Sequence, residues 1–125
     1  MRKLFIFIIP LLLPLISSRA SSPILVLKNE QDVYSVGRYL EILEDKTNKL
    51  TIHDVSKPDW SFKFKKSKED IINFGFSDSA YWAKLTISNT GSATDQWYLL
   101  QGFVLQDKIN LYYNVNNKWK EKFTG

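Results

Sequence analysis

His53 is the only histidine in the 125 residues, and cysteine is absent. A metal site would have to be built from His53 and carboxylates such as Asp45 and Asp54. Nothing in their spacing fixes such a geometry. Thr51-x-x-Asp54 reads more simply as the start of a short helix, with His53 as a polar residue inside it. No metal and no cofactor is expected. Nucleophilic catalysis from a serine would need a strained turn beside a base, and no Gly-x-Ser-x-Gly elbow occurs. Glu44, Asp45, Asp54 and Asp78 could be paired on paper for glycoside hydrolysis, but acids among turn residues serve solvation and turn geometry. The chain is not expected to be an enzyme.

Binding chemistry is better represented. Aromatic residues make up 14% of the chain, enough that some can serve a surface. A sugar is held by an aromatic platform against its C–H face and a few convergent polar groups around its hydroxyls. Trp82 with Lys84 is the leading candidate pair, because Trp82 lies opposite the apolar stripe of its own segment. Trp60, Trp97 and Tyr112 follow. The competing reading packs Trp82 against a neighbouring strand. Lys63, Lys65, Lys66 and Lys68, interleaved with Phe62 and Phe64, could meet phosphate headgroups; the simpler reading, adopted here, is the wet face of a strand entering a loop.

These residues need strands to position them. Residues 74–89 contain the clearest one. Tyr81, Ala83, Leu85 and Ile87 alternate with Trp82, Lys84, Thr86 and Ser88, a period of two that predicts a central strand with a buried and a wetter face. Further strands are expected at residues 24–27 (an edge), 39–43, 60–65, 97–100, 102–105 around a bulge at Gln101-Gly102, and 108–115. Trp60, Phe62 and Phe64 would share one side of theirs. Asn116-Asn117 predicts a two-residue hairpin, since asparagine tolerates positive φ. The return strand then places Trp119 and Phe123 on one face and lysines on the other, where they discourage edge pairing. One or two helical turns are expected near residues 51–58. The pattern indicates an all-β chain, an antiparallel jelly-roll-like β-sandwich.

The N-terminus reads differently. Met1-Arg2-Lys3 is basic, residues 4–16 are apolar with Pro10 and Pro14, and Ser18-Arg19-Ala20 is a small-residue cut site, the three parts of a secretory signal peptide. The run falls short of the roughly 20 residues a spanning helix needs. Residues 1–20 are therefore expected to be a cleaved signal-peptide helix, and residues 21–125 a single exported domain. Arg2, Lys3 and Arg19 lie in the first 20 residues and no acid does. The net charge of +4 thus falls to +1 for residues 21–125, which removes any case for nucleic-acid binding. An exported chain without cysteine must hold its core by packing alone, which suits a periplasm or cell surface.

Tyr39-Leu40-Glu41, Leu43-Glu44-Asp45, Leu50-Thr51-Ile52, Asp54-Val55, the block Asn73 through Trp82 (NFGFSDSAYW), Asn89, Trp97-Tyr98-Leu99 and Leu111-Tyr112 occur in an order and spacing that resemble one family. It is the second type of extracellular domain of bacterial seven-transmembrane receptors with diverse intracellular signalling modules. The resemblance covers about residues 36–125. It implies a periplasmic jelly-roll sensor, similar to carbohydrate-binding modules, ahead of a seven-helix membrane region that this sequence does not contain. Lys84 stands where the family often has arginine. The family pattern also continues with further strands, so the jelly roll is expected to be incomplete at its C-terminal end, with open edges prone to self-association. The expected function is an extracytoplasmic ligand-binding sensor module, its ligand a carbohydrate or derivative. The alternative is an envelope module that contacts proteins and takes no small molecule.

Overall fold

The computed structural model describes residues 3–10, 21–91, 96–101 and 108–124. Among the described residues, seven strands make one mixed sheet: β1 Lys3–Pro10, β2 Ile24–Leu27, β3 Leu40–Asp45, β4 Lys65–Lys66, β5 Ala80–Asn89, β6 Lys108–Val115 and β7 Lys118–Thr124. Their order is β4-β3-β5-β1-β6-β7, with β2 also on β5. β5 is the organising strand expected from its alternation. β3 runs antiparallel along its Ala80 to Leu85 stretch, and β2 takes over in parallel from Thr86 to Asn89. β1 also pairs with Thr86 and Ile87, so it must lie on the opposite edge from β2.

Register assigns the faces, because side chains of directly paired residues point the same way. Leu43, Trp82, Phe5 and Asn110 share one face; Ile42, Ala83, Ile6 and Leu111 share the other. Both faces are covered. On the first, Phe7, Leu43, Trp82 and Phe64 pack with Ile52 and Val55 of the single helical turn α1, Ile52–Val55. On the second, Leu4, Ile6 and Ala83 form one cluster and Leu25, Leu27 and Leu85 another. The Asp54 carboxylate anchors α1 by accepting the Thr51 N–H and hydroxyl, each at 2.8 Å. Asn116 and Asn117 take φ of 51° and 60° between β6 and β7, as a primed two-residue turn requires.

Several expectations are corrected. The all-β composition stands, but the sheet is mixed and not purely antiparallel, since β1 and β2 run parallel to β5. Residues 3–10, expected as part of a helix, form β1. Phenylalanine and isoleucine fit a pleated strand, and the edges of β5 and β6 offer them two rows of backbone partners. β5 has no wet face: Trp82 is fully buried and Lys84 and Thr86 nearly so, whereas Tyr81 is half-buried. Most of the strand expected at 60–65 is the 3-10 turn Pro58–Lys63. Pro58 has the φ of a first helical turn, and Trp60 N–H bonds the Lys57 carbonyl at 3.0 Å, so only Lys65–Lys66 remains as strand. Residues 97–100 are not in a strand. The expected bulge and strand at 102–105 and the cut site at Ala20 lie outside the described residues.

Candidate functional site

Four of the five residues singled out for sugar binding come together on one face. Trp82 and Lys84 project from β5, Tyr112 from β6 two strands away, and Trp60 packs in from the 3-10 turn. Their arrangement is that of a core. The Phe5 ring stacks on Trp82 at 4.4 Å and 18°, and Tyr112 stacks on the same indole at 5.6 Å. No face of Trp82 is open to solvent. Lys84 Nζ meets Glu41 at 2.9 Å with both side chains largely buried, and lies 5.0 Å from the Phe64 ring. Lys63 covers Trp60, its Nζ 3.7 Å from the ring centroid. Tyr112 donates to Glu121 at 2.8 Å, and Asn110 donates to the same oxygen. Burial, then the hydrogen bond it donates to Glu121, raises the Tyr112 phenol above its ordinary value. Trp97 is on the opposite side of the sheet, edge-on to Tyr34 at 5.6 Å.

The opposite face holds an open cleft that the alternation of β5 gave no means of finding. It encloses about 400 Å³, within the range of small-molecule sites. Its floor is Leu40, Ile42, Ala83 and Leu85 with Leu4 and Ile6 of β1, and its walls include Tyr34, Val36, Phe74 and Leu99. Polar groups are few and lie at the rim: Ser35, Asp70 and Gln101. Two loops distant in sequence shape this rim. Arg38 Nε holds Asp70 at 2.7 Å, and the Ser35 hydroxyl donates to the Asp70 carbonyl at 3.4 Å. Gly37 lets them meet, since a Cβ there would stand 2.0 Å from the Asp70 carbonyl oxygen. Phe74 is held by stacking on Tyr81 at 3.9 Å. Among the described residues, no group of three or more His, Asp or Glu side chains could hold a metal ion.

A family model described as 7TMR-DISM extracellular 2 matches residues 37–125. The chain belongs to that family. No curated protein and no solved structure matches it. The 7TMR-DISM extracellular 2 domains are an extracellular region of seven-transmembrane receptors, which places this chain's function on the exported side and in sensing. Among the described residues, no helix is long and apolar enough to cross a membrane. The matched residues include β3 to β7 and the cleft residues Asp70, Phe74 and Leu99, but not Tyr34, Ser35 or Val36. They exclude β1 and β2.

Proposed function

We propose that this 7TMR-DISM extracellular 2 domain is the ligand-binding module of a signalling receptor, exported by means of residues 1–20, and that its ligand is a carbohydrate or carbohydrate derivative held in the cleft over Ala83. Such a module acts by binding one conformation of its receptor better than another. The observation that carries the reading is the cleft itself: an apolar floor of which Leu40, Ile42, Ala83 and Leu85 lie outside residues 1–20, aromatic side chains at Tyr34 and Phe74, and exposed polar side chains at Ser35, Asp70 and Gln101, with Asp70 braced by Arg38. That division matches the two chemical sides of a sugar ring. It also moves the proposed site away from Trp82, whose ring has no room for a ligand.

Titration of the full chain against a panel of mono- and oligosaccharides tests the proposal. Saturable binding that weakens about tenfold in Asp70→Ala, the loss of roughly one charged hydrogen bond, is the expected result. Binding unaffected by changes at Ser35 and Asp70 would remove the cleft as the site. A panel without binding, alongside specific capture of an envelope protein, would favour the protein-contact alternative.

A further inference from the structure

The spacing of Trp60, Phe62 and Phe64 would put all three rings on one side of a strand, with lysines on the other. The 3-10 turn Pro58–Lys63 separates them instead. Trp60 packs against the cluster around Trp82, and Phe64 is buried in it. Phe62 is turned out and 71% exposed. Lysines flank it in the chain. Lys63 Nζ lies 3.7 Å from the Trp60 ring centroid and 6.0 Å from that of Phe62. Lys65, Lys66 and Lys68 are exposed just beyond, and Lys57 opens the turn. Residues 57–68 hold five lysines and one acid, Asp59, a net charge of +4. Residues 21–125 as a whole carry only +1, so the remainder of that stretch is net negative. The acids around the turn are mostly engaged elsewhere. Glu41, the register partner of Lys66, is held by Lys84 at 2.9 Å, and Asp70 by Arg38 at 2.7 Å. Asp54 reaches Lys57 only at 3.9 Å, and Glu69 is exposed.

We propose that this turn is a docking surface for an anionic phospholipid bilayer, with Phe62 entering the headgroup layer and Lys63, Lys65, Lys66 and Lys68 meeting lipid phosphates. An exposed ring among lysines is the composition of a segment that lies on a membrane. Each lysine near an anionic surface adds a small attraction, and the several here accumulate. The concentration of positive charge at one place on the domain orients it during approach. Two observations select this occupant. A lipid surface takes up both the charge and the apolar ring, whereas a soluble polyanion answers only the charge. The family is an extracellular region of seven-transmembrane receptors, which sets a bilayer beside the domain. The turn also covers the sheet face opposite the cleft, since Trp60 and Phe64 join the Trp82 cluster and the cleft lies over Ala83. Docking through Phe62 therefore leaves the cleft facing solvent. The inference does not depend on what the cleft holds.

The chain has no cysteine, so Ser61→Cys and Ser35→Cys forms of the full chain each accept one polarity-sensitive fluorophore, beside Phe62 and at the cleft rim. Each is mixed with vesicles of phosphatidylcholine alone, or with about one-third phosphatidylglycerol to supply negative charge. Residues 1–20 are the same in every form, so their own affinity for lipid does not separate the variants. On anionic vesicles the label at position 61 should shift to the blue and the label at position 35 should not. Phe62→Ser, and separately Lys65→Gln with Lys66→Gln, should each weaken binding to anionic vesicles about tenfold. Added salt should weaken the parent chain more than the lysine variant. An unshifted label at position 61, equal binding to the two kinds of vesicle, or a Phe62→Ser form that binds as tightly as the parent would overturn the proposal. So would soluble polyglutamate that binds as tightly as the vesicles and is indifferent to Phe62→Ser, which would make the turn a site for an acidic protein segment.

Discussion

At the residue scale, Lys84 and Glu41 form the most consequential pair. Their side chains are 9% and 13% exposed, so removing one leaves a charge with little water around it. Lys84→Ala should cost about 3–5 kcal/mol in chemical denaturation. Lys84→Met combined with Glu41→Leu should cost far less, and equal costs would show that the pair is not coupled. Asp45 is also buried. Burial favours its neutral form, but donors from the Thr47 hydroxyl and the Leu50, Thr47 and Asn48 N–H groups outweigh that and lower its pKa below the ordinary 3.8. Its stabilising contribution is therefore complete above pH 3.8 and is lost as pH falls through the lowered folded value. Asp45→Asn should flatten the acid limb of the stability–pH profile while lowering stability at pH 7, as thermal melts across pH would reveal. Sequence alone singled out Lys84 and Trp82 but gave them the wrong surroundings. Alternation reports that a strand has two faces; it does not report that both are covered.

At the scale of elements, what could be read depended on whether the cause was local. The β6–β7 hairpin was legible because asparagine tolerates the positive φ that a type I′ turn needs at both central residues, and both asparagines adopt it. Asn117→Gly should leave stability unchanged or raised by a few tenths of a kcal/mol, whereas Asn116→Val should lower it by about 1–2 kcal/mol, since a β-branched residue resists that conformation. Urea midpoints would measure both, and a harmless Asn116→Val would mean the turn had changed type. The Thr51 to Asp54 start of α1 was legible for the same local reason. Residues 60–65 misled because three aromatics at a spacing of two resemble a strand, while Pro58 just upstream favours a turn of helix. The cleft was not legible at all. It depends on residues 34–38 meeting residues 69–74, and no local pattern in either stretch records that contact.

For the whole molecule, the family was legible because its residues are spread over most of the chain, and the match to residues 37–125 agrees. The sheet order was not, because β1 draws its partners from strands far along the sequence. If residues 1–20 are an export signal, N-terminal sequencing of the exported protein should begin at Ser21 or within a residue or two of it. An intact Met1 on exported material would refute that reading. The position of β1 also bears on the order in which the chain is made. Lys3 faces Ala80 on one side and Lys108 on the other. The segment is thus held by walls of which one is synthesised roughly a hundred residues later. Pairing between such distant stretches is slow to form, and at translation rates of roughly 5–20 residues per second the N-terminal segment stays unclaimed for seconds. A targeting factor has that interval in which to bind it, and translation speed becomes a variable that divides nascent chains between capture and burial.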